Sequence, residues 1–248
     1  MLTVIPVRAD KSDTSEIVTQ LLFGEIATVL EKHNQWLKVN IHHDGYVGWI
    51  DEKQVIEISE EAFNTLSIKK TRQTIKSTTC HTPWGTIEVL QGSPVLCDQM
   101  SCEIDTLKFS YKEPLEKNEL NPEQPISEIS LSYLNAPYLW GGRTHYGIDC
   151  SGFTQTVFAQ KGYALMRDAS QQVKQGEPVN FNDIRTGDLA FFVSSKGNIT
   201  HVGIILEDGK IIHASGRVRI DMLTEEGIYN SEKKKITHKL HSIRRLGS

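Results

Sequence analysis

The chain of 248 residues reads as an α+β protein in which two small β-barrels precede an α+β domain. Three observations lead there. Short apolar runs separated by Gly, Asn and Asp fill its first part, as in small all-β domains. A charged stretch carrying Pro114, Pro122 and Pro125 then interrupts that pattern with linker composition. Beyond it, an apolar stripe at helical spacing starts at Cys150 and is followed by three strand-like runs.

The elements follow in order. Residues 1–60 contain Leu21-Leu22-Phe23, Ile26-Ala27-Thr28-Val29-Leu30, Trp36-Leu37-Lys38-Val39 and Tyr46-Val47-Gly48-Trp49-Ile50, punctuated by Gly24, Asn34 and Asp44-Gly45. Residues 61–113 look like a second, divergent copy, with Gly85-Thr86-Ile87-Glu88-Val89-Leu90, Gly92-Ser93 and Leu107-Lys108-Phe109 as strand and turn signals. Residues 114–125 form the linker, and 126–248 the final domain. That domain opens with a helix predicted over 126–134, which must end before Pro137. After the glycine-rich Tyr138-Leu139-Trp140-Gly141-Gly142, Phe153, Val157 and Phe158 recur at helical spacing from Cys150, and Gly162 stops the helix.

Cys150 therefore stands in the first turn of a helix. Asp149 is its predicted N-cap, and the partial positive charge of that helix end favours thiolate over thiol. A nucleophilic thiolate needs a base, and the base needs an orienting partner. Candidates come from the strand runs Leu189-Ala190-Phe191-Phe192-Val193, His201-Val202-Gly203-Ile204-Ile205-Leu206 and Lys210-Ile211-Ile212-His213-Ala214-Ser215. Loop length decides whether the two histidines meet, because side chains alternate faces. A two-residue Asp208-Gly209 loop sets Ile204 against His213 and puts the histidines on opposite faces. A three-residue loop, Glu207-Asp208-Gly209 with Gly209 left-handed, pairs Gly203 with His213 and brings His201 and His213 together as diagonal neighbours. The three-residue loop is the expectation.

Residues 121–248 resemble the NlpC-type cell-wall cysteine peptidases, a papain-like family. Four blocks carry the resemblance in order: Tyr138 with its Trp-Gly-Gly turn, Asp149-Cys150-Ser151-Gly152, Arg167-Asp168-Ala169-Ser170-Gln171-Gln172, and Gly187-Asp188-Leu189 leading to Thr200-His201-Val202-Gly203. It implies Cys150 as nucleophile, His201 as base and His213 as the ring-orienting third residue. It implies substrate contacts at Trp140, Asp149, Ser151, Asp168, Ala169 and Ser170, although the family's frequent serine is alanine at Ala169. The first segment resembles bacterial SH3-like domains, making the fold two SH3-like barrels followed by a papain-like peptidase domain. Such two-barrel members are γ-D-glutamyl-diamino acid endopeptidases. The implied substrate is a peptidoglycan peptide such as L-Ala-γ-D-Glu-diaminopimelate, cut after D-Glu without metal or cofactor. In those enzymes the first barrel binds the substrate's free amino terminus, at positions matching Tyr46 and Glu25 here.

Blander readings stand beside these. A lone cysteine on an apolar helix face is ordinarily an inert core residue, and a strand histidine ordinarily structural. Trp140, Tyr46 and Trp49 also read as packed aromatics, and Glu25 as a solvated turn residue. The ordered partners of Cys150 favour catalysis. Two other classes compete: a wall-binding protein with an inactive peptidase domain, and an amidase or acyltransferase on the same scaffold. A net charge of −4 gives no reason to expect nucleic acid or anionic membrane as partner, and no apolar run approaches spanning length. Lys233-Lys234-Lys235 reads as a solvated loop. Cys80, His81, Cys97 and Cys102 have poor spacing for zinc. Small core residues are the expectation there, with a Cys97–Cys102 disulfide if the protein is exported. With Met1 as native start the protein is expected in the cytoplasm, and outside it if a signal peptide has been removed.

Overall fold

The computed structural model describes residues 2–68, 73–74, 76–97, 99–113 and 124–247. Most of the expected linker lies outside them. The chain divides into two compact units, Met1–Pro122 and Glu123–Ser248.

The first unit begins with β1 (Val4–Arg8), β2 (Ile17–Leu22), β3 (Ala27–His33), β4 (Trp36–Ile41) and β5 (Val47–Asp51), in the order β2-β1-β5-β4-β3. Alternate residues turn inward, so Ile5, Val7, Leu21, Val39, Ile41 and Ile50 make one core. Strand β1 was not foreseen because Pro6 weakens any strand reading. Here β1 meets β5 only at Arg8 opposite Trp49, so little ladder is lost at the proline. Next come α1 (Glu60–Ile68), β6 (Thr78–Thr82), β7 (Gly85–Val89), β8 (Ser101–Ile104) and β9 (Leu107–Tyr111). These strands run in the order β7-β6-β9-β8, over a core of Cys80, Val89, Leu96, Ile104, Phe109 and Tyr111 that Phe23 also joins. Ala62 and Leu66 pack α1 against that core. Cys97 and Cys102 are disulfide-bonded, which removes two of the four residues weighed as zinc ligands.

The second unit contains α2 (Ile126–Leu131), β10 (Arg143–Thr144), β11 (Gly147–Ile148), α3 (Cys150–Gln160), α4 (Ala169–Gln172), β12 (Glu177–Val179), β13 (Leu189–Val193), β14 (Ile199–Ile205), β15 (Lys210–Ser215), β16 (Arg217–Thr224), β17 (Gly227–Asn230) and β18 (Lys235–Arg245). Strands β13 to β18 pair in sequence, and pairing of β17 with β18 and of β18 with β13 closes a barrel. Its two faces are both apolar. Leu189, Phe191, Val202, Ile204, Ile212 and Ala214 face outward onto Phe153, Val157 and Phe158 of α3. Ala190, Phe192, Ile205, Ile211, Leu223, Ile228 and Ile243 fill the interior. Burial on both faces is why these strands read as continuous apolar runs instead of alternating ones. Each fully buried Phe, Ile or Leu contributes about 1.5–3 kcal/mol, so the helix is held by its packing far more than by intrinsic propensity.

Candidate active site

The Asp149 carboxylate accepts from the Gly152 amide at 2.6 Å, which makes Cys150 the first residue of α3. It also accepts from the Gly141 amide at 2.9 Å, fastening the glycine-rich turn to the helix start. The approach is close: a Cβ on Gly152 would lie 2.3 Å from the Gly142 carbonyl oxygen. Arg167 completes the arrangement from outside the helix. Its guanidinium donates to both Asp149 oxygens, at 3.0 and 2.5 Å, and to Ser151 Oγ at 3.0 Å. With Arg167 only 1% exposed, this bidentate pair satisfies two charges that neither could carry alone in the interior. Gln172 Nε2 donates to the Ser151 and Met166 carbonyls at 3.0 and 2.8 Å, tying the segment around α4 to α3.

The expected substrate contacts of this unit thus fall into two groups. Asp149 and Ser151 are buried in the Arg167 network, and Ala169 is buried at the start of α4. Trp140 and Ser170 are exposed, and the half-buried Asp168 donates its amide to Gln171 Oε1 at 3.0 Å.

Cys150 points at the edge of the barrel. Its Sγ lies 4.0 Å from the carbonyl oxygen of Thr200, the residue before His201. Burial, reinforced by the Asp149 charge, pushes its thiol up to about 12, against the opposing pull of the Val202 and Ser151 amides and Arg167. The expected thiolate is therefore a thiol at rest. Desolvation outweighs the helix end, whose partial charge is shared with the Asp149 cap. Tyr138 stands in the same field: burial, then the Cys150 and Asp149 charges, push its phenol up to about 12.

The hairpin of β14 and β15 has the three-residue loop. Gly203 pairs with His213, and the Leu206 amide donates to the Lys210 carbonyl at 2.8 Å. Gly209 is left-handed at φ +66°, and Asp208 is as well, at +57°. In consequence His201 Nε2 lies 2.8 Å from His213 Nδ1. Gly203 lets them meet, since a Cβ there would stand 2.9 Å from His213 Cβ and 2.8 Å from Ile211 Cδ1.

Behind them stand residues that sequence reasoning missed. His213 Nε2 lies 3.0 Å from Asp221 Oδ2, and Arg219 donates to Asp221 Oδ1 at 3.0 Å. Burial raises the Asp221 carboxyl, but the bonds from His213 and Arg219 more than offset it and hold it below the ordinary value. His238 stacks on His201 with centroids 4.2 Å apart. Burial, helped by the neighbouring rings, holds His201 well below its ordinary value, and burial with His213 pulls His238 down to about 4. Asp221 and His238 carry no local signal, since strands β16 and β18 bring them in only when the barrel closes.

In the first unit, the Glu25 side chain is 5% exposed and accepts from the Leu22 amide at 2.9 Å, so it is not a solvated turn residue. His43 lies 3.6 Å from Glu25 and 3.3 Å from Asp44, whose other oxygen accepts from the Tyr46 amide at 2.9 Å. Tyr46 itself is half-buried against the first core.

A buried thiol at a helix start, lying on the barrel strand that carries one imidazole of a hydrogen-bonded pair, matches the plan of a papain-like cysteine peptidase. Residues 135–238 match the NlpC/P60 family model, and residues 7–55 the bacterial dipeptidyl-peptidase Sh3 domain. The chain is 30% identical over 240 residues to the gamma-D-glutamyl-L-lysine dipeptidyl-peptidase of Bacillus subtilis, covering 87% of this chain and 79% of that one. It is 29% identical to the protein of the same name from Bacillus cereus, covering 82% and 68%. A crystal structure of an NlpC/P60 family protein from Bacillus cereus shares the fold, with a TM-score of 0.77 at 21% identity over 98% of this chain and 97% of that one. The chain belongs to the NlpC/P60 family of cysteine peptidases.

Proposed function

We propose that this protein hydrolyses the γ-D-glutamyl-diamino acid bond of peptidoglycan-derived peptides that carry a free N-terminal L-Ala. The observation that carries the reading is the hydrogen-bonded pair His201–His213, held by the β14–β15 hairpin beside the β14 backbone that receives the Cys150 thiol. The names of the relatives, aligned over most of this chain, supply the bond type.

In the mechanism, Cys150 and His201 start neutral. His201 takes the thiol proton as sulfur attacks the γ-carbonyl carbon, and the resulting imidazolium gives that proton to the departing amine as the C–N bond breaks. Water, deprotonated by His201, then attacks the thioester, and the thiol reforms. The Cys150 amide at the helix start is a donor for the oxyanion.

Glu25 and Tyr46 are the proposed acceptors for the substrate's ammonium group, and buried Asp44 adds a second negative charge beside them. A desolvated ammonium left without such acceptors binds poorly. The test is to incubate the protein with L-Ala-γ-D-Glu-diaminopimelate, its L-lysine counterpart, and the N-acetylated form of each, and to identify products by mass spectrometry. Release of L-Ala-D-Glu from the free peptides alone is expected. Equal turnover of the acetylated forms would remove amino-terminal recognition, and transfer to an added amine without hydrolysis would favour the acyltransferase reading.

The Cys97–Cys102 disulfide supports location in an oxidising compartment over the cytoplasm. Thiol titration of denatured, unreduced protein should then read two thiols, those of Cys80 and Cys150. Four would favour the cytoplasm.

A further inference from the structure

The peptidase reading uses Cys150, His201 and His213, and leaves unexplained why a buried carboxylate is fixed behind the second histidine. Asp221 is 6% exposed and has its Oδ2 3.0 Å from His213 Nε2. It is tied down from its own strand and the next one. Arg219 NH2 donates to Oδ1 at 3.0 Å while its Nε lies 2.8 Å from Oδ2, and Asn230 Nδ2 donates to Oδ1 at 3.5 Å. Arg219 is in turn steadied by Glu232, 3.3 Å from its NH1. Such a carboxylate only accepts.

The proton inventory of the two rings follows from that. An acceptor at Asp221 Oδ2 requires His213 Nε2 to carry a hydrogen. A neutral His213 then has a bare lone pair at Nδ1, which lies 2.8 Å from His201 Nε2 and must receive a hydrogen from it. His201, neutral in its buried setting, is left with its lone pair on Nδ1, the one ring nitrogen turned away from His213. A base that is to accept the Cys150 proton needs that lone pair. With the opposite tautomer the His201 Nδ1 carries a hydrogen, and no proton transfer from the thiol to that atom is available.

We propose that Asp221 is a positioning residue of the peptidase, setting through His213 the tautomer of His201 that can take the Cys150 proton. The chain of donation runs from His201 Nε2–H to His213 Nδ1 and from His213 Nε2–H to Asp221. When the thiol proton arrives on His201 Nδ1, the new positive charge is shared along that line toward a carboxylate already in place, with no reorganisation. His238 stacks on the other face of His201, with ring centroids 4.2 Å apart, and confines the imidazole to that plane. The inference rests on Cys150 and His201 being the reacting pair, and its test uses no peptide substrate. Its failure is therefore separable from failure of the proposed bond specificity.

The test combines histidine ring 15N spectra with alkylation of Cys150 by iodoacetamide, in the wild type and in Asp221→Asn. The wild type should show His201 with Nδ1 unprotonated and Nε2 protonated. Asparagine is nearly isosteric and can turn its amide N–H toward His213 Nε2, which reverses both rings. Asp221→Asn should therefore move the His201 signature to the Nδ1–H form and slow alkylation by about 100-fold or more, on the scale known for removing a tautomer-fixing carboxylate. An Nδ1–H form already present in the wild type overturns the proposal, whether or not the variant folds. So does an unchanged His201 signature in Asp221→Asn, or alkylation within threefold of wild type.

Discussion

Position 150 asks a small side chain to be both a core residue and the proposed nucleophile, and burial sets its resting state. Desolvation pushes the thiol up to about 12 and holds His201 well below its ordinary value, so the resting pair is uncharged. In the proposed mechanism, charge separation is deferred to the moment of attack, when the substrate's carbonyl offers somewhere for it to go. Cys150→Ala and Cys150→Ser should both abolish turnover without lowering the melting temperature. Activity above a tenth of wild type, about 1.4 kcal/mol in barrier, would exclude the assigned nucleophile. His201→Ala should approach the cysteine variants in severity. His213→Gln should retain part of the rate, because an amide oxygen can still accept from His201 Nε2 while its N–H₂ group donates to Asp221. Equal kcat losses for the two histidine variants would contradict these unequal roles.

Two elements do most of the positioning. Helix α3 is buried along Cys150 to Phe158, including the polar Thr154, Gln155 and Thr156, and each of these finds a partner: Thr154 Oγ1 on Gln172 Oε1 at 2.7 Å, Gln155 Nε2 on the Leu165 carbonyl at 3.0 Å, Thr156 Oγ1 on the Gly152 carbonyl at 2.8 Å. The hairpin β14–β15 supplies the imidazoles, and its glycine is as much a part of the site as they are. Gly203→Ala drives a methyl against His213 Cβ at 2.9 Å and Ile211 Cδ1 at 2.8 Å. Overpacking of this kind costs about 1–3 kcal/mol, and here the strain falls on the histidine pair. The variant should melt lower and lose kcat out of proportion to KM; an unaltered kcat in a folded variant would show that the pair tolerates the shift. Much of this scale was readable beforehand. Asp149 as cap, the helix running from Cys150 until Gly162, and the three-residue loop all follow from local rules of capping and strand alternation. Strand β1, helix α1 and strands β16 to β18 were not read, because Pro6, the polar face of α1 and the charge-rich alternation of Arg217 to Asp221 all mimic loop composition.

For the molecule as a whole, the buried imidazoles tie stability to pH. His201 and His238 are neutral in the folded protein, with proton affinities lowered well below 6.5 and to about 4 respectively. Unfolding releases both rings to protonate near 6.5, so below that pH the unfolded chain binds more protons and gains on the folded one. Their contribution is fully present above about 6.5 and is lost as pH falls toward about 4, where His238 takes its proton in the fold as well. Urea midpoints at pH 7, 6, 5 and 4 should decline, and His238→Gln should flatten the decline; a midpoint constant from pH 7 to pH 4.5 would show that the rings charge in place. By itself the sequence determined the α+β class, the cap and position of Cys150, and the register that joins His201 to His213, because each is set by residues close together in the chain. Tertiary structure alone decided that the thiol rests protonated, that Arg167 neutralises Asp149, and that Asp221 and His238 flank the histidine pair. Desolvation and contacts across a closed barrel depend on which distant strands end up adjacent, and no local pattern encodes that.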